Sequence, residues 1–177
     1  GDSPIAERDA VGVARLREAG AILIGTNTMM GTSRPAPGKY KWGEEARNPW
    51  DPARAPGWSS SGGASATAAG LLPMTIGSDG GGSTRLPAAI SGVVGHHPTV
   101  GRIPTVNYDG QSLQFMGTIG PLSRDVRDAA IAMQVMAGPD GRDIAAVQEP
   151  APDYLGDLDD GVRGMKFAWT DDYGYGS

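Results

Sequence analysis

Apolar residues recur at helical spacing between Arg124 and Ala137, where Val126, Ala129, Ala130, Met133, Met136 and Ala137 share one face and charged residues fill the other. Ser123 is positioned to cap this helix, Gly138-Pro139 to end it, and its methionines to fill a core. A first helix is predicted from Ser3 to Glu18, with Ser3 as cap, Pro4 in the first turn and Gly20 as terminator. A third, of small residues, runs from Ala64 to a stop at Gly70, which puts Ser59, Ser60 and Ser61 at its start. Two short apolar runs, Ala21–Ile24 and Leu71–Ile76, read as strands. The stretch 31–57 has no sustained period and carries five prolines (Pro35, Pro37, Pro49, Pro52, Pro56), which predicts an extended loop. The region 140–161 reads as a linker around a short Tyr154-Leu155 anchor. Alternation of helix and strand predicts an α/β fold, a mixed β-sheet flanked by helices.

Composition narrows the class only a little. At 177 residues and 39% hydrophobic content the chain can bury one core. A formal charge of −5 gives no basic footprint, so no nucleic-acid partner is expected. With no cysteine, disulfides and thiolate metal sites are excluded, which is compatible with the cytoplasm, the expected location. No apolar run approaches a membrane span. Neither a cofactor nor a metal is expected.

The candidate chemistry lies between Ser59 and Arg85. There Ser59-Ser60-Ser61-Gly62-Gly63 is followed by Gly77-Ser78-Asp79-Gly80-Gly81-Gly82-Ser83-Thr84-Arg85. Three consecutive glycines let successive N–H groups converge in front of Ser83. A hydroxyl beside preorganised amide donors suits acyl transfer, because charge develops on the carbonyl oxygen as the tetrahedral intermediate forms. Ser83 is therefore the candidate nucleophile. Ser83 is followed by Thr84-Arg85 and not by a Gly-x-Ser-x-Gly elbow, which disfavours the α/β-hydrolase arrangement. His96-His97 invites a metal or a Ser-His reading, but adjacent side chains point apart and no third ligand has supporting spacing, so a surface or partly packed role is expected. Asp79 and Arg85 bracket the glycine loop and are expected to pair across it, the alternative for Arg85 being a substrate contact.

Taken with Pro87-Ala88-Ala89, Gly92-Val93-Val94-Gly95, the run Pro98 to Pro104, and Gly120 to Val126, these residues resemble the amidase signature family. The likeness covers most of the chain, from Asp9-Ala10 to Val162–Ala168, which resembles the strand opening the next part of such domains. Three stretches of one partial domain are implied: an upstream helix, strand and long loop over 1–58, a signature core over 59–138, and a linker with the next strand over 139–177.

The resemblance implies amide hydrolysis through an acyl-enzyme, using a serine, a second serine held by a cis peptide bond, and a lysine. Position by position, Ser83 matches the nucleophile, Ser60 the bridging serine, and the amides of Gly80, Gly81, Gly82 and Ser83 the oxyanion hole. Ser61 is expected to support the network. Trp58-Ser59 stands where the family usually has two glycines, so the Trp58 ring lines the acyl pocket or caps it. The family's lysine lies upstream of the matched segment, and the chain reads as a fragment that starts after it. Of the three lysines present, Lys39 and Lys41 are expected to be solvated loop charges and Lys166 a structural residue. The expected substrate is a small linear amide or ester, with homo-oligomerisation possible. Two other readings stay open: an incomplete amidase-like domain that binds an anion or partner through the glycine nest, and one component of an enzyme that amidates charged transfer RNA.

Overall fold

A computed structural model describes residues 7–29, 45–106 and 117–174. Seven elements follow in order: α1 (Val11–Glu18), α2 (Ser61–Ala68), β1 (Met74–Asp79), α3 (Arg85–Ser91), β2 (Val94–Gly95), β3 (Thr118–Ser123) and α4 (Val126–Met136). The strands form one sheet in the order β1-β3-β2, with both neighbours antiparallel to β3. The architecture is the expected α/β one, but every strand pairing among the described residues is antiparallel.

Side chains alternate across a strand, so β1 faces two ways. Met74 and Ile76 join Ile119 against a core of Leu16, Ile103, Ala132, Met133 and Met136, supplied largely by α1 and α4. Thr75, Gly77 and Asp79 face the opposite side with Leu122, which packs on Ala64 of α2 and Ala88 of α3. The sheet is thus sandwiched between α1/α4 and α2/α3. The candidate serines belong to the second side.

Several local expectations shift. The Ser3 cap lies outside the described residues, and α1 begins only at Val11, behind Ala10. Gly20 does end it, at φ +91°. The strand expected over Leu71–Ile76 starts at Met74 and runs on through Gly77-Ser78-Asp79, because the antiparallel register with β3 extends from Met74↔Ser123 to Asp79↔Thr118. α4 is capped by Asp125, whose side chain accepts the Asp128 N–H, while Ser123 Oγ donates to the Asp125 carbonyl at 2.7 Å. Val126, placed on its apolar face by periodicity, is exposed.

Neither Ala21–Ile24 nor Val162–Ala168 forms a strand; Ile22, Ile24, Phe167 and Trp169 are exposed, and no described strand pairs with either segment. The region 140–161 is more than a linker. Asp143 is buried and accepts from the Thr105 and Ala145 N–H groups, and Tyr154 packs against the α1/α4 core. Within the long loop, residues 31–44 lie outside the described ones. Its remainder is fastened to the end of α3 by Asn48 Nδ2 donating to the Ile90 carbonyl and Trp50 Nε1 to that of Ser91. The first and last helices are also joined: the Arg15 guanidinium donates to the carbonyl of Met136 (2.8 Å), which ends α4, and to those of Gly138 (3.1 Å) and Pro139 (2.8 Å) just beyond it.

Candidate active site

β1 delivers the chain to Asp79, and after the short loop 80–84 the helix α3 begins at Arg85. That loop is shaped by the Asp79 carboxylate, which is completely buried. Its Oδ1 accepts from the Gly82 N–H at 2.6 Å and from Arg85 Nη2 at 2.9 Å. Its Oδ2 accepts from Arg85 Nε at 2.9 Å and from the N–H groups of Thr84 and Arg85, both at 3.1 Å. Gly82 takes φ +117° to turn its N–H inward, a conformation closed to residues with a β-carbon. Burial alone would raise the Asp79 carboxyl, but Arg85 and the three backbone N–H groups outweigh it and hold the group well below the usual carboxylate range. Asp79 in turn raises the Arg85 guanidinium further. Arg85 and Asp79 do pair across the loop.

This grip changes the expected oxyanion site. The Gly82 N–H is committed to Asp79. Of the four amides named from the sequence, those of Gly80, Gly81 and Ser83 are left without an acceptor among the described residues. Ser83 itself is half-buried.

Ser60 sits directly behind this loop, buried at the start of α2. Its N–H donates to the Ser83 carbonyl at 3.1 Å. Its Oγ accepts from the Ser78 N–H at 3.2 Å and donates to the Ser78 carbonyl at 3.3 Å. Ser60 is therefore tied to both ends of the glycine loop, and its hydroxyl caps nothing in its own helix. The cis peptide lies between Trp58 and Ser59, so the serine that it holds is Ser59 and not Ser60, on which the resemblance placed the bridging role. Ser61 Oγ reaches the carbonyls of Ser59 and Thr28, both at 3.5 Å. Trp58 is exposed.

Gly77 makes the closeness of these parts possible. A β-carbon there would lie 2.6 Å from Thr84 Oγ1 and 2.8 Å from Ser60 Oγ. Thr84 Oγ1 is fully buried and has no hydrogen-bond partner among the described residues. The sequence pattern did not single out Thr84, although a hydroxyl directly after a candidate nucleophile, in a stretch flanked by small residues, was signal enough to ask where it points. His97 is partly packed, one of the two roles expected for it, with its Nε2 4.0 Å from Asp79 Oδ1 and its side chain 22% exposed. With His96, Arg102, Met133 and Tyr154 it borders a cavity of about 330 Å³.

The lysines contribute nothing visible to this site. Lys39 and Lys41 lie outside the described residues, and Lys166 is exposed on an irregular segment. Among the described residues no cluster of three His, Asp or Glu is arranged for a metal, and no helix is long and apolar enough to cross a membrane.

Known proteins share both sequence and geometry. The Amidase family model matches residues 3–176. One of the subunits of the glutamyl-tRNA(Gln) amidotransferase of Alkaliphilus metalliredigens is 43% identical over 159 residues, which is 89% of this chain and 32% of that protein. The crystal structure of the corresponding polypeptide from Thermotoga maritima superposes with a TM-score of 0.72 at 35% identity, covering 89% of this chain and 34% of that one. Native peptide amidase from Stenotrophomonas maltophilia gives a TM-score of 0.76 at 38% identity, over 88% of this chain and 34% of that one. The chain thus spans about a third of the length of the relatives it matches.

Proposed function

The chain belongs to the amidase signature family, and on that premise we propose that it carries the acyl-transfer centre of an enzyme that cleaves the carbon–nitrogen bond of a small linear amide, with esters as secondary substrates. Ser83 Oγ attacks the carbonyl carbon. The amides of Gly80, Gly81 and Ser83 receive the developing oxyanion, while Asp79 and Arg85 hold the loop that presents them. Ser59, the serine that the cis peptide holds, accepts the Ser83 proton and passes its own to a neutral amine base, the role the family resemblance gives to a lysine, while Ser60, the bridging serine expected from the sequence, fastens the turn to Ser78. The observation that supports this reading best is the Ser60 N–H bound to the Ser83 carbonyl, which fastens the Ser59-Ser60 turn to the Ser83 loop beside three uncommitted amides.

Treatment with a fluorophosphonate probe, followed by peptide mapping, tests it. The adduct is expected on Ser83, abolished by Ser83→Ala and slowed about a hundredfold by Ser59→Ala, with a smaller effect from Ser60→Ala. Labelling elsewhere than at Ser83 would overturn it, and a chain that stays unlabelled would mean that the attack needs a base these residues do not supply or that the loop is an anion-binding nest only.

A second reading is favoured by the relatives that belong to glutamyl-tRNA(Gln) amidotransferases. In it the same cleavage frees an amide nitrogen for transfer to charged tRNA instead of to water. A net charge of −5 in a chain covering a third of such proteins is no ground for excluding an RNA-bound assembly. Salt-sensitive tRNA binding by the assembled complex distinguishes this reading from a stand-alone amidase.

A further inference from the structure

Away from the serine loops, one cavity gathers side chains that the acyl-transfer reading does not use. Its volume of about 330 Å³ lies near the lower end of the range for small-molecule sites, and His96, His97, Arg102 and Tyr154 border it beside Pro98 and Met133. No carboxylate lines it among the described residues, in a chain of net charge −5. The adjacent acid, Asp153, spends its Oδ1 on the N–H groups of Leu155 and Gly156. Behind His97, the charge of Asp79 is already met by Arg85. The donors around the cavity are unspent. Arg102 Nη1 donates to the carbonyls of Glu149 and Pro150, both at 3.3 Å, which leaves its Nε and Nη2 without an acceptor among the described residues. The His96 ring and the Tyr154 hydroxyl have no partner there either, and His97 Nε2 has only Asp79, at 4.0 Å, beyond hydrogen-bond reach. The backbone that carries these groups is fixed. The His96 N–H donates to the Pro121 carbonyl of β3 (3.1 Å), the Arg102 carbonyl accepts the Gly138 N–H (3.0 Å), and the Tyr154 N–H donates to Gln134 Oε1 of α4 (2.9 Å).

We propose that this cavity is a second ligand site, one that takes a small carboxylate with an apolar body. The Arg102 fork pairs with the two carboxylate oxygens, the imidazoles and the Tyr154 hydroxyl donate to the remaining lone pairs, and Met133 and Pro98 cover the body. Those apolar walls favour such a ligand over inorganic phosphate, which would leave them uncovered. Ser59, Ser60 and Ser83 do not border the cavity, so the site is separate from the acyl-transfer centre. His97 nevertheless touches both, because it borders the cavity and faces Asp79 Oδ1, the atom that also accepts the Gly82 N–H. Occupancy of the site therefore reaches the glycine loop through one side chain. Amide hydrolysis releases a carboxylic acid, so on the acyl-transfer reading the ligand class includes the reaction's own product.

Benzoate, added to the full chain, is the probe. The chain has two histidines and both border the cavity, so its imidazole resonances in NMR spectra report on this site alone, and His96→Gln tells one ring from the other. Both rings should shift along a saturable benzoate titration, and benzyl alcohol, the uncharged counterpart, should bind at least about tenfold more weakly. Arg102→Lys keeps the charge without the fork and should weaken benzoate about tenfold. Tyr154→Phe leaves Arg102 and its carbonyl contacts in place and should weaken it about threefold. Ring shifts that never saturate, or equal affinities for benzoate and benzyl alcohol, would overturn the proposal. So would a titration that moves the Gly80 and Gly81 amides and neither ring, since it places the anion in the glycine nest. Wild-type affinity in both Arg102→Lys and Tyr154→Phe would overturn it as well. None of these measurements involves Ser83, so the proposal can fail while the acyl-transfer reading holds, and the reverse.

Discussion

Two glycine- and aspartate-rich stretches of this molecule behave in opposite ways. In Asp79–Arg85 the aspartate is buried and gathers a guanidinium and three backbone amides. In 159–174 the aspartates and glycines lie at the surface, and Phe167 and Trp169 between them are exposed. Composition does not separate the two. What does is the element that delivers each: β1 is paired along its length with β3 and carries Asp79 into the interior, where a carboxylate must find donors, whereas no described strand pairs with 159–174.

The contrast can be broken most severely at Asp79 itself. Asp79→Ala is expected to cost about 3 kcal/mol in urea denaturation, toward the low end for a broken buried pair because Arg85 is half exposed and regains water. A loss below about 1 kcal/mol would mean that the loop holds its shape without the carboxylate. Gly77→Ala comes next, at about 2 kcal/mol, since its methyl would press on Thr84 Oγ1 and Ser60 Oγ. Labelling of Ser83 should fall with it, more than stability alone accounts for.

Acid provides a gentler test. The folded-state pKa of Asp79 lies below its unfolded value, so the stability it contributes is complete above about pH 4 and drains away as pH falls toward the folded value. Urea midpoints followed from about pH 6 to about pH 3 should decline less steeply in Asp79→Asn than in wild type. Equal slopes would remove Asp79 as a source of acid sensitivity. The smallest effects belong to the exposed segments: Ile22→Ser and Phe167→Ser should each shift stability by less than about 0.5 kcal/mol. A larger loss from either would show that these side chains pack in solution.

Local chemistry was the part most legible in the sequence. Gly80 to Ser83 announced a special backbone, and Asp79 with Arg85 announced a pair, because both depend on residues a few positions apart. The helical period of α4 was equally plain, although its cap was misplaced: Ser123 and Asp125 both suit the role, and only the end of β3 at Ser123 decides between them. Strand-like runs were harder, since an apolar run states a preference while a strand requires a partner. Leu71–Ile76 therefore slid toward Asp79 to match β3, and Ala21–Ile24 and Val162–Ala168 stayed irregular. The commitment of the Gly82 N–H to Asp79 was invisible for a related reason, because glycine composition tells that a backbone can turn and not which way. Thr84 depended on Gly77 and Ser60 approaching from two other elements, a conjunction that no local window contains.

The fastening of α1 to the end of α4 bears on how the chain matures. Arg15 and the Pro139 carbonyl it holds are 124 residues apart. On a ribosome adding about 5–20 residues per second, α1 waits roughly 6 to 25 s for its clasp to be synthesised. Leu16, buried against Met133 and Met136 in the finished structure, has no α4 to cover it during that interval. Closing so long a loop is a late event by its entropy as well as by its order of synthesis. The nascent chain thus spends those seconds with the apolar face of its first helical segment uncovered, a segment of eight residues too short to hold a helix by itself.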